Sequence, residues 1–132
     1  MQKRLLSMLF LTAALGIVWC RMLSAQTADP TVRADYDAAF QQTLQNPADP
    51  RTLLKFAELA VQVGDIEGAI SALERLLLLD ADQPDVKLEL GVLYYRIGSV
   101  EAARTYLNAV LSSSQASRDA KKRAEAFLKA AN

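Results

Sequence analysis

The chain has 132 residues, 52% of them hydrophobic, and it balances 15 Lys and Arg against 15 Asp and Glu. It has no histidine and one cysteine, Cys20, which removes the commonest general base and leaves no pair of thiols for a disulfide or a zinc–thiolate site. Without Lys3, Arg4 and Arg21 the count is 12 basic against 15 acidic residues, and Arg118, Lys121, Lys122, Arg123 and Lys129 gather near the end, so a mildly acidic body carries a basic tail and no broad nucleic-acid footprint.

Lys3 and Arg4 precede an uncharged, mostly apolar run from Leu5 to Cys20, and Ser24-Ala25 follows Arg21. A basic start, an apolar middle and a small-residue exit are the order of a secretory signal. Residues 1–25 are therefore read as a signal peptide cleaved after Ala25, with the protein exported to the periplasm or cell envelope. The alternative is an uncleaved inner-membrane anchor, although a run of 16 residues is shorter than the roughly 20 a spanning helix needs. Lipid attachment at Cys20 would want a small residue before it, where Trp19 stands.

Residues 26–49 hold a polar leader and a first helix, predicted from about Thr31 to Gln45. Asp29-Pro30 starts it, because proline tolerates the first helical position, and Asn46-Pro47 stops it. Tyr36, Phe40 and Leu44, with Ala39 beside them, form its apolar stripe, so it should lie on the next helices as a lid. Asp49-Pro50 opens a helix over about Arg51–Val63, which Gly64 closes, and Asp65 caps another over Ile66–Leu79. The pattern then recurs: Pro84, a helix over about Asp85–Ile97, Gly98, Ser99 as cap, and a helix over Val100–Ser112. Within the run Leu76–Leu79, some leucines belong to the core and one is left for a neighbour. After a serine-rich linker, a last helix over about Arg118–Ala131 places Ala120, Ala124, Phe127, Leu128 and Ala131 on one stripe. Its Lys121-Lys122-Arg123 cluster reads as the solvated face of a terminal cap, with contact to anionic lipid or an acidic partner as the alternative.

Residues 50–83 and 84–117 match when shifted by 34 positions: Pro50/Pro84, Leu54/Leu88, Leu59/Leu93, Gly64/Gly98, Glu67/Glu101, Ala69/Ala103, Leu73/Leu107 and Leu77/Leu111 are identical. A repeat of this period means a solenoid of helix pairs, which builds a surface rather than a reaction centre. The expected fold is all-α, a short α-solenoid of two helix-turn-helix repeats flanked by cap helices, the last being residues 118–132.

The second repeat carries Leu90-Gly91 followed by Tyr94, and the first has Phe56-Ala57 and Ala60 in those places. With Gly64 and Gly98 between helices and Ala69 and Ala103 early in the second helices, the chain resembles the tetratricopeptide repeat (TPR) family. It departs from that family at Leu53 and Lys87, where the signature has Trp, and at Ala81 and Gln115, where it has Pro. The run Gly64-Asp65 to Ala69-Ile70, then Ala72–Leu77 and Leu88–Arg96, is similar to the exported TPR region that precedes an outer-membrane β-barrel in Gram-negative bacteria. A stand-alone short member and a piece of a longer TPR-barrel architecture both remain open.

The resemblance implies a concave groove lined by the first helix of each pair. Its residues would be Arg51, Leu54, Glu58, Val61 and Gln62 in the first repeat, and Asp85, Leu88, Val92, Tyr95 and Arg96 in the second. Such a groove suits a protein or peptide partner, a helix or an extended segment. The alternative is that the N-terminal or the final helix fills it. Some TPR domains clamp a peptide's terminal carboxylate with Lys and Asn. The corresponding places here hold Leu54, Glu58, Leu88 and Val92, so that ligand class is rejected.

No cofactor, metal site or catalytic residue is expected. Glu67 and Glu101 lie a whole repeat apart at helix starts, where they suit the helix dipole. The glycine spacings lack the Lys-Ser/Thr of a phosphate loop. The sequence thus reads as an exported adaptor or assembly factor of the bacterial cell envelope, not an enzyme. Its alternatives are the periplasmic module of an outer-membrane barrel system and a membrane-anchored scaffold.

Overall fold

A computed structural model describes residues 29–130, which form six α-helices and no strand: α1 Pro30–Gln45, α2 Pro50–Val63, α3 Ile66–Leu79, α4 Pro84–Arg96, α5 Val100–Ser112 and α6 Arg118–Ala130. The signal segment, the start of the leader and Ala131 lie outside the described residues.

Local chemistry sets the ends. Proline opens α1, α2 and α4, where its missing N–H costs nothing. Asp29 accepts from the Thr31 amide at 2.9 Å and Asp49 from the Thr52 amide at 2.9 Å. These bonds and those from the two threonine hydroxyls hold both carboxyls below the usual aspartate range. Gly64 and Gly98 take φ values of +85° and +79°, the left-handed turn that ends a helix and reverses the chain. Asp65 then caps α3 through the Gly68 amide at 3.0 Å, and its other oxygen accepts from the Tyr36 hydroxyl at 2.6 Å, raising the tyrosine pKa. Ser99 sits in the same place before α5, but its side chain makes no cap hydrogen bond. It is exposed, and no side chain from the preceding repeat holds its hydroxyl as Tyr36 holds Asp65.

Consecutive helices pack on one another, and α6 packs against both α4 and α5. The links after α2 and α4 hold only two and three residues, so each pair is antiparallel. Small residues let the paired helices close: Ala69 and Ala103 are fully buried, and a Cβ at Gly91 would lie 2.7 Å from Leu107 Cδ2. The 34-residue period also runs into the flanks. α1 ends at Gln45, 34 residues before the end of α3, and α6 begins at Arg118, 34 residues after the start of α4. Ala39, Leu73 and Leu107, spaced by that period, are all buried. Thus α1 occupies the phase of a second helix of a pair, and α6 that of a first helix.

The main core joins α1, α2, α3 and α4 through Ala39, Leu53, Phe56, Ala60, Ile70, Leu73, Leu76, Leu90 and Leu93. A second cluster joins α4, α5 and α6 through Leu88, Leu107, Val110, Ala120 and Ala124, with Phe127 and Leu128 beside it. Polar contacts tie the repeats together. The Tyr94 and Tyr106 rings stack 5.7 Å apart, and their hydroxyls donate to the same Glu74 oxygen at 2.7 and 3.2 Å. The Glu74 bond pushes Tyr94 up to about 12, and burial with the Glu74 charge raises Tyr106.

Two expectations need correction. The buried face of α1 is Ala39 and Thr43 with Tyr36 half-buried, whereas Phe40 and Leu44 are exposed. Steps of four residues overshoot a 3.6-residue turn, so a 36/40/44 stripe drifts around the helix. Phe40, at the edge of the contact, still meets the Phe56 ring of α2 at 5.8 Å, Leu44 is more exposed, and 36/39/43 makes the buried face. Thr43 tolerates burial because its hydroxyl donates to the Phe40 carbonyl at 2.8 Å. In α3, Leu76 is buried and Leu77 half-buried, and two leucines rather than one, Leu78 and Leu79, face outward.

Candidate interaction groove

One face of α2 presents Leu54, Ala57, Glu58, Val61 and Gln62, residues spaced at i, i+3, i+4, i+7 and i+8 and therefore on one stripe. The first turns of α4 present Asp85, Val86 and Glu89, Gln83 stands in the link before them, and Leu73 closes the floor from α3. Together these side chains enclose a groove of about 630 Å³. Its floor is aliphatic. Its rim carries three carboxylates and two amides, and no lysine or arginine is among the lining residues.

The ten residues expected to line a continuous face divide sharply. Leu54, Glu58, Val61, Gln62 and Asp85 line the groove. Arg51 is exposed one turn before Leu54 but is not part of the wall, and Arg96 is exposed as the last residue of α4. Leu88 is not on an open face at all: it is 2% exposed and packs with Ala120 and Ala124 of α6. Tyr95 meets the Phe127 ring edge-on at 5.9 Å and donates to the Ala130 carbonyl at 3.4 Å. Val92 is half-buried and outside the wall. α6 therefore covers the second-repeat half of the face, and no described residue covers the first-repeat half.

Ala57, Leu73, Gln83, Val86 and Glu89 also line the groove and were not read as groove residues from the sequence. The signal for Glu89 was its place one turn after Asp85. The signal for the covered half was the Ala120/Ala124/Phe127 stripe, which had to be buried against something. Among the described residues no group of three His, Cys, Asp or Glu side chains could hold a metal ion.

The sequence profile of the tetratricopeptide repeat family matches residues 57–127. The chain belongs to the tetratricopeptide repeat family. The match reaches into α6, in keeping with the repeat phase of that helix. Solved structures similar to this TPR chain include two of PcrH. PcrH in complex with the chaperone binding region of PopD has a TM-score of 0.65 at 17% identity, over 99% of this chain and 93% of that one. PcrH from Pseudomonas aeruginosa has a TM-score of 0.55 at 18% identity, over 83% of this chain and 98% of that one. At such identities the likeness is one of fold. No curated protein matches the sequence.

Proposed function

We propose that this protein is an adaptor or assembly factor of the bacterial cell envelope, exported by its N-terminal signal, which holds a segment of a partner protein in the groove between α2 and α4. The observation that carries this reading is that, among the described residues, half of the concave face is left open, with an aliphatic floor and a polar rim, while α6 covers the other half. Leu54 and Val61, which keep exposed apolar surface on this floor, gain from burial under apolar side chains, and the rim sets orientation. Further support comes from PcrH, a neighbour in fold that was solved with the chaperone binding region of PopD. Export is supported by Lys3 and Arg4, the apolar run after them and Ser24-Ala25. The reading is one of binding, not catalysis.

The test is a photo-crosslinking residue placed at Val61 in the native host, compared with one at Glu101 on α5. A discrete adduct from position 61 that Leu54→Ser abolishes is expected. Equal or absent adducts at both positions would overturn the groove. Intact mass from periplasmic and membrane fractions tests export: a soluble species beginning near Gln26 supports it, and a membrane species retaining residues 1–25 makes the protein an anchored scaffold instead. The likeness of the Gly64–Arg96 run to barrel-associated TPR regions supports a second reading, a periplasmic module of an outer-membrane barrel system. Co-fractionation with the outer membrane is its expected signature.

A further inference from the structure

The groove is charged with one sign. Glu58 stands on α2, and Asp85 and Glu89 stand one turn apart on α4. The cations of the same helices, Arg51, Lys55, Lys87 and Arg96, do not line it. No hydrogen bond or ion pair within the described residues engages the side chains of Glu58, Asp85 or Glu89; the ion pairs found are Arg33–Asp37 and Arg104–Glu101, both elsewhere. The three carboxylates do not form a metal-binding group. They are unpaired anions beside an aliphatic floor.

That arrangement selects its occupant. A segment that settles on Leu54 and Val61 displaces water from the rim, and carboxylates that lose water without gaining a partner cost free energy. An acidic side chain adds another anion, and a neutral one leaves the three unpaired. A lysine or arginine satisfies them, and the planar arginine fork can bridge two. We propose that the groove recognises a protein segment in which lysine or arginine alternates with aliphatic residues. This rests on the reading that the groove holds a partner segment, and it adds the chemistry of that segment.

The experiment uses the full-length chain and three short fluorescein-labelled peptides built on one leucine pattern, with the intervening positions all Lys, all Gln or all Glu. Binding is followed by fluorescence anisotropy at low and raised salt. The Lys peptide should bind about tenfold more tightly than the Gln peptide, from several partly screened ion pairs, and salt should narrow the gap. The Glu peptide should not bind. A Glu58→Gln, Asp85→Asn, Glu89→Gln variant should lose that tenfold advantage for the Lys peptide alone, and Glu125→Gln on α6 should change nothing. If the triple variant folds poorly, the three peptides on the unchanged protein still decide. Equal binding of all three peptides, lost in Leu54→Ser, would overturn the charge selection and leave the groove standing. Binding that ignores Leu54→Ser would overturn both. Self-association of the protein that the Lys peptide reverses would overturn the proposal as well, because the occupant would then be the basic α6 of a second copy.

Discussion

Leu54 and Leu88 hold the same place in successive repeats, yet Leu54 is 45% exposed and Leu88 is 2% exposed. Each sits on the first helix of its pair, one turn after the opening proline. The difference comes from what lies next to them. α6 reaches back onto α4 and places Ala120 and Ala124 over Leu88, while no described helix covers the corresponding face of α2. Repeat position therefore determines which way a residue points, and the neighbouring element determines whether anything is left for a partner. Here α6 takes up part of the concave face, and no described residue covers the remainder.

Removing α6 should erase the contrast most completely. A chain ending at Ser117 would uncover Leu88, Leu107 and Val110, each worth roughly 1.5–3 kcal/mol when buried. Loss of thermal stability and growth of larger species in light scattering are expected. A monomer with an unchanged melting curve would break the comparison, since α6 would then not be what covers Leu88.

Single substitutions sharpen it. Leu88→Ala should cost about 2–5 kcal/mol in urea unfolding, as for other buried leucines. Leu54→Ala should change stability by less than about 1 kcal/mol and weaken partner binding instead. Similar costs at both positions would mean that the two halves of the face are equally covered.

A second matched pair separates the repeats at their turns. Asp65→Ala removes both the cap on Gly68 and the acceptor for Tyr36, at a cost of about 1–2 kcal/mol. Ser99→Ala, in the same place, removes no side-chain cap bond and should lie within about 0.5 kcal/mol of the parent.

The smallest effect is electrostatic. Tyr94, bonded to Glu74, is raised to about 12 in the folded protein, against an ordinary value of 10.0. A folded-state pKa above the unfolded value means that this contribution is fully present below pH 10 and is lost as pH rises toward about 12. Stability measured across that window should fall, and fall less in Tyr94→Phe. An identical slope in the variant would show that the Glu74 bond does not link the two repeats energetically.

Much of this architecture was legible before any coordinates. Proline starts, glycine stops and the 34-residue self-match located the helices to within a residue at their ends, because caps and turns are decided by near neighbours in the chain. Leu54, Glu58, Val61, Gln62 and Asp85 were legible as groove residues through the resemblance to the TPR family, whose first helices line the concave face. The same logic misplaced Leu88 and Tyr95, because carrying positions from one repeat to the next assumes that both have the same neighbours. It also missed the repeat phase of α1 and α6, since few identities continue into the flanks while the spacing of their ends does.

The sequence by itself determined the all-α class, the helix ends and the repeat, which follow from local dihedral preferences, caps and turns. The tertiary structure alone decided that α6 covers the second half of the face and that Glu58, Asp85 and Glu89 line the same groove at the other half. Exposure and charge clustering are properties of packed neighbours, and residues 58, 85 and 120 become neighbours of the same face only when the helices stack.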